Sequence, residues 1–220
     1  MKKQLAGITV LSFLIVSIAT AYAVAPVAEL KVKGALTVPS CTVNAPENGI
    51  YDFGKISSTK ISSIGFVNLA AMTKNWVITC DATTYLTVKP VDNRAASVYP
   101  SSTSTYGLGM VNGSGKIGTY SINMQNAVVD GNSSKLFSSS TGVFSAVTAT
   151  ALYNHGPSVG WASADNIQAA GKVFSTEIKV EPILASTTVM NGPITEDTEL
   201  NGSVTLDFAY VCHIISKKSS

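Results

Sequence analysis

The sequence is poor in charge, histidine and cysteine, and beyond its first residues it has no long apolar run. Only 13% of its residues are charged, and 15 basic against 13 acidic side chains give a formal charge of +2. Without Lys2 and Lys3 the balance is even. Charge therefore points to no nucleic-acid or anionic-membrane partner. The two histidines, His155 and His213, have no cysteine or carboxylate partner at ligand spacing, so no metal motif is present and no cofactor is implied. Sustained helical spacing is also missing, which argues against a helical bundle or a doubly wound α/β sheet. Only Ala162 to Ala170 reads as a short helix.

What is present begins at the N-terminus. Lys2 and Lys3 precede the apolar run Leu5 to Ile18 and the small-residue triplet Ala21-Tyr22-Ala23. That order predicts a secretory signal peptide, residues 1–23, cut after Ala23. The run is shorter than the ~20 apolar residues of a spanning helix, and no basic stop-transfer flank follows it. The expected product is exported and soluble, with roughly two hundred residues, enough for one large domain.

Export implies an oxidising compartment for the three cysteines. Cys41 and Cys80 each border a strand-like run, and a disulfide between them would close a loop of roughly 40 residues, worth about 4 kcal/mol on the chain-entropy model. Cys212 is left over, either as a buried free thiol or as an intermolecular bridge.

Period-two alternation recurs along the chain. Leu30, Val32, Gly34, Leu36 and Val38 share one face of a strand ended by Pro39. Short runs at Ile50–Phe53, Ile61–Leu69, Trp76–Cys80 and Tyr85–Val88 follow. Residues 105–124 read as a hairpin turning at Asn112-Gly113-Ser114-Gly115. Gly131 to Gly142 reads as a loop and Val147–Tyr153 as a strand. Near the end, Phe174, Thr176, Ile178, Val180, Pro182 and Leu184 alternate with polar residues. The pattern resumes at Gly202, Val204, Leu206, Phe208, Tyr210 and Cys212. About nine short strands with Gly, Pro and Asn punctuation predict an all-β sandwich.

Two strings look catalytic. Gly156-Pro157-Ser158-Val159-Gly160 fits a nucleophile elbow, and Ser158, Asp197 and His213 follow the hydrolase order. The elbow needs a strand feeding a helix in a parallel sheet, which one-sided alternation does not supply, so the string reads as a loop. Gly113, Gly115 and Gly118 match a dinucleotide fingerprint, yet Tyr120, Ile122 and Met124 follow at period two, so these are hairpin glycines. Glu196, Asp197 and Glu199 read as a solvated turn rather than an acid-base pair. The expectation is a protein that is not an enzyme.

Several stretches carry a resemblance. They are Lys33 to Val43, including Pro39-Ser40-Cys41; Tyr51-Asp52-Phe53-Gly54-Lys55-Ile56; Ile78-Thr79-Cys80-Asp81-Ala82; Asp92-Asn93-Arg94; Tyr106-Gly107-Leu108-Gly109; Val111-Asn112-Gly113 with Gly115-Lys116-Ile117-Gly118; and Leu200 to Leu206. In this order the chain resembles subunits of chaperone-usher fimbriae, closest to the beta-fimbria major-subunit group. The resemblance implies an immunoglobulin-like pilin sandwich, incomplete by one strand and completed by a donated one. A periplasmic chaperone covers the open groove, and at an outer-membrane usher the N-terminal extension of another subunit replaces it. The implied partners are that chaperone, that usher, further subunits in a homopolymer, and a host or surface receptor for the fibre.

Carried onto this chain, residues 24–33 are the donor, with Ala28, Leu30 and Val32 as pocket fillers. Ten extended residues reach roughly 33 Å. Residues 34–211 form the sandwich, with Gly202, Val204, Leu206, Phe208 and Tyr210 on the groove-edge strand. Residues 212–220 are a tail that subunits of the family usually lack. The alternative reading is a tip or secreted carbohydrate-binding adhesin module, and a third is a secreted hydrolase using Ser158.

Overall fold

The computed structural model describes residues 27–35 and 38–210. The chain divides into one unit ending at Thr37 and another beginning at Val38. In the first, residues 27–35 form no strand or helix. Val27, Leu30 and Val32 are 93%, 86% and 88% exposed, and Lys31 pairs with Glu29 at 3.2 Å.

The second unit is all-β, with short 3-10 turns as its only helical elements among the described residues. Its strands are β1 (Cys41–Asn44), β2 (Val67–Asn68), β3 (Met72–Asp92), β4 (Thr105–Gly107), β5 (Met110–Val111), β6 (Gly115–Lys116) and β7 (Gly118–Val129). Then come β8 (Asn132–Ser133), β9 (Lys135–Ser139), β10 (Ala149–Ala151), β11 (Ser158–Ala164), β12 (Ile167–Gln168), β13 (Ala170–Leu184) and β14 (Val204–Tyr210). All but the small β5–β6 ribbon belong to one antiparallel sheet.

β3 explains how that sheet encloses a core. Its 21 residues would run about 70 Å if straight, far beyond a typical strand, so it bends. Ile78, Cys80, Thr84, Leu86, Val88 and Pro90 stay buried along its length, so the same face points inward on both sides of the bend. Its first part pairs with β1 and β13, and its second with β14 and β11. The sheet curls, and its two parts meet across the core. Trp161 of β11 stands edge-on to Phe174 of β13, ring centroids 5.3 Å apart, and its Nε1 donates to the Ser175 carbonyl at 3.1 Å.

The strongest period-two signal is obeyed throughout: Phe174, Thr176, Ile178, Val180, Pro182 and Leu184 are all buried on β13. The hairpin at 105–124 also forms, with Asn112 and Gly113 at positive φ in its turn. Gly118 has φ 145° where β7 begins against β13, and a Cβ there would lie 2.1 Å from the Ile183 carbonyl oxygen. The disulfide joins Cys41 to Cys80, which are register partners on β1 and β3.

Several expectations need correction. Among the described residues there are fourteen strands rather than about nine. No strand covers residues 27–35 or 38–40, because alternation marks a face but a strand also needs an edge to bond to. Residues 50–53 form no strand, and of 61–69 only Val67–Asn68 pairs. The two runs at 76–88 are one strand. Residues 131–142, read as a loop, hold β8 and β9, where Leu136 and Phe137 are buried. The helix at 162–170 is instead a β11–β12 hairpin turning at Asp165-Asn166, with Asn166 at φ 57°. The expectations for residues 1–26, for Leu36 and Thr37, and for 211–220, including Ala23, Cys212 and His213, lie outside the described residues.

Candidate functional site: a groove beside the last strand

β14 is a strand because Val204, Leu206 and Phe208 alternate with Thr205, Asp207 and Ala209, giving one apolar edge-on face. Its hydrogen-bonding partner is β3, in a register from Val204 opposite Asp92 to Tyr210 opposite Leu86. Among the described residues no strand pairs with its other edge. The consequence is visible in burial. The inward residues of β13 are fully buried, whereas Val204, Leu206 and Phe208 are only half-buried.

Beside Val204 and Leu206 the molecule opens into a cavity of about 350 Å³. Ile122 of β7 and Ile178 and Val180 of β13 line it together with an aromatic wall of Tyr51, Phe53 and Trp76. Gly202, just before β14 rather than within it, passes close to Tyr120, where a Cβ would meet the ring at 2.8 Å. At the far end of the strand the Tyr210 hydroxyl accepts a hydrogen bond from the Cys41 amide at 3.2 Å. That contact ties β14 to the disulfide-anchored start of β1.

The aromatic wall is fixed by polar contacts. Tyr51 Oη donates to the Ile178 carbonyl at 2.9 Å and accepts from Trp76 Nε1 at 3.1 Å. Lys74 Nζ bonds the Glu47 carboxylate at 2.6 Å and the Ile50 carbonyl, and lies 5.3 Å from the Tyr51 ring centroid. Tyr51 is thus held against Trp76 of β3 without lying in a strand itself. This answers why Ile50–Phe53, apolar and aromatic, lacks a pairing partner.

Burial pushes the Tyr51 hydroxyl up to about 12, with the Trp76 hydrogen bond working the other way. Tyr106 and Tyr120, also buried, are raised too, with the Asp92 carboxylate adding to the effect in both. An unfolded tyrosine loses its proton near pH 10, whereas Tyr51 in the folded chain keeps it until about 12. Above pH 10 the folded state binds more protons, so this stability is full below pH 10 and is lost as pH rises through 12. Urea unfolding at pH 9 and pH 11 is expected to show that loss, with a smaller loss in Tyr51→Phe.

The other candidates disperse. Ser158 opens β11, paired with Ser139 in an antiparallel sheet, so Gly156 to Gly160 is neither an elbow nor wholly a loop. Gly113 lies in a turn, Gly115 in β6 and Gly118 in β7, with no helix following. His155 is an exposed turn residue at φ 58°. Among the described residues no cluster of three or more His, Cys, Asp or Glu comes together. A more open cleft of about 560 Å³ lies by Arg94 and Glu199, and there the Arg94 guanidinium is engaged by Asn201 through Nε at 3.1 Å and Nη2 at 2.9 Å.

Of the expected site residues, Gly202, Val204 and Leu206 line the groove, while Phe208 and Tyr210 continue the same strand and Tyr210 reaches Cys41 of the Cys41–Cys80 disulfide. Ala28, Leu30 and Val32 lie exposed in the N-terminal unit, outside any strand. Sequence reading missed Tyr51, Phe53, Trp76, Ile178 and Val180 as lining. The available signal was aromatic clustering at 51–53 and Trp76. Residues 30–104 match a family described as a protein of unknown function, DUF1120. That stretch runs from Leu30 through the disulfide-closed loop and all of β3. No curated protein matches the chain.

Proposed function

We propose that this chain is a structural subunit of a surface fimbria, an immunoglobulin-like pilin sandwich that lacks one strand and is completed by another subunit. One observation carries the reading: among the described residues β14 is bonded along one edge only, and an apolar groove lies beside it. An unpaired edge over exposed apolar residues is a template for strand addition and an aggregation hazard unless covered. The exposed alternating segment 27–33 has the composition to fill such a groove. It supplies Leu30 and Val32 inward and Glu29, Lys31 and Lys33 outward.

In this reading the chain is exported after loss of residues 1–23, held by a periplasmic chaperone, and passed at an outer-membrane usher to another subunit's residues 24–33. The fibre then supports adhesion at the cell surface. The exchange is strand replacement and calls for no catalysis by the subunit.

The test is complementation by peptide. Protein of residues 24–220 made without a chaperone is expected to be aggregation-prone. A peptide of residues 24–33 at a hundredfold excess over its Kd is expected to stabilise it by about 2.7 kcal/mol, or roughly 5 to 11 °C in Tm. A stable monomer indifferent to the peptide would overturn the proposal.

A further inference from the structure

The exposed face of β14 carries Thr205, Asp207 and Ala209, so Asp207 is the one charge on it. Asp207 sits between Leu206, which lines the groove, and Phe208, half-buried on the same face of the strand. It stands opposite Lys89 in register but makes no ion pair among the described residues. In the N-terminal unit Lys31 sits in the same way between Leu30 and Val32, which are almost wholly exposed. Its ion pair with Glu29 joins two side chains that are 66% and 76% exposed, a weak and replaceable contact.

Strand geometry couples these two triplets. A segment laid along the free edge of β14 with Leu30 and Val32 inward must present Glu29, Lys31 and Lys33 outward. A slip of one residue would turn the apolar side chains to solvent, so only even shifts compete. Three of them bring a charge opposite Asp207. With Glu29 there, like charges face each other and small Ala28 replaces a large side chain. With Lys33 there, charges attract, but Gly34 brings no side chain opposite Leu206 or Phe208. With Lys31 there, charges attract and both Leu30 and Val32 lie opposite Leu206 and Phe208, in either strand direction.

We infer that the groove takes residues 28–34 of a second copy in the register that sets Lys31 against Asp207, and that this charge pair selects the register among those alternation permits. The inference rests on the strand-donation reading above. Opposed side chains on adjacent strands lie about 5 Å apart, close enough for the pair to act directly.

The experiment measures binding of a labelled peptide of residues 24–35 to the chain of residues 24–220, by fluorescence anisotropy at low salt. The Lys31→Asp peptide on the unaltered chain, and the unaltered peptide on the Asp207→Lys chain, are each expected to bind about three- to tenfold more weakly. Combining the two reversals is expected to restore affinity to within about twofold, and 1 M salt to shrink the single-reversal losses. In a Cys212→Ser background, a Lys31→Cys peptide should crosslink to Asp207→Cys faster than to Thr205→Cys or Ala209→Cys.

Tight binding that ignores both reversals, or losses that add without rescue, would overturn the register while leaving strand donation standing. No binding of the unaltered peptide would overturn both. Binding seen only after residues 211–220 are removed would make the chain's own tail the occupant, and would likewise overturn the inference.

Discussion

Replacing Cys41 and Cys80 by alanine is expected to lower the unfolding free energy by about 4 kcal/mol, because the bond closes a loop of 39 residues in sequence separation. In a domain of this size that is roughly 8 to 16 °C in Tm, read by thermal unfolding with and without reductant. The effect should exceed the loop term if β1 also detaches. β1 is four residues long and, among the described residues, pairs with β3 alone, and the Cys41 amide that holds Tyr210 belongs to it. Loss of the bond should therefore also weaken peptide capture by the groove. A double variant that melts within about 2 °C of the parent would show that the loop is already constrained without it.

Trp161→Ala is expected to cost about 3 to 5 kcal/mol, the range for removing a large buried aromatic. Trp161 is 1% exposed, packs edge-on against Phe174, and satisfies the Ser175 carbonyl through Nε1. Its removal leaves a cavity and a buried acceptor without its partner, at the place where the two parts of the curled sheet meet. Trp161→Phe should recover much of the packing but not the hydrogen bond, and fall between. Urea unfolding is the measurement. Because Trp161 does not line the groove, the extra stability gained from the donor peptide should be the same in parent and Trp161→Phe. A change in that increment would mean that the groove and the core seam are coupled.

The legible parts of this molecule were those in which each residue faces one environment along its own strand. Phe174 to Leu184 and Val204 to Phe208 could be read directly, because alternation reports a buried face whatever the partner. Cys41 and Cys80 were legible because each borders a strand-like run in a chain with few other thiols. The hairpin at 105–124 was legible from Asn112-Gly113, whose φ values suit that turn. The misread segments failed for a common reason. Ser-rich residues 131–142 and Ala-rich 162–170 have weak local preferences, and they became strands because Leu136, Phe137 and Trp161 had edges to join. Residues 30–35 failed in the opposite sense, with a strong pattern and no edge.

The groove divides along the same line. Its last strand was foreseeable, but its wall was not, since Tyr51 and Trp76 are brought together by the Tyr51–Ile178 and Trp76–Tyr51 hydrogen bonds across the chain.

By itself the sequence determined the all-β class, the inward faces of the two closing strands and the pair of cysteines that bond, because periodicity and residue chemistry act locally along the chain. Tertiary structure alone decided that β3 bends to serve both parts of the sheet, that β14 keeps one edge unbonded among the described residues, and that aromatic residues from distant segments line the space beside it. Pairing and its absence depend on which backbone edges meet, and that is settled only when the whole sheet has closed around its core.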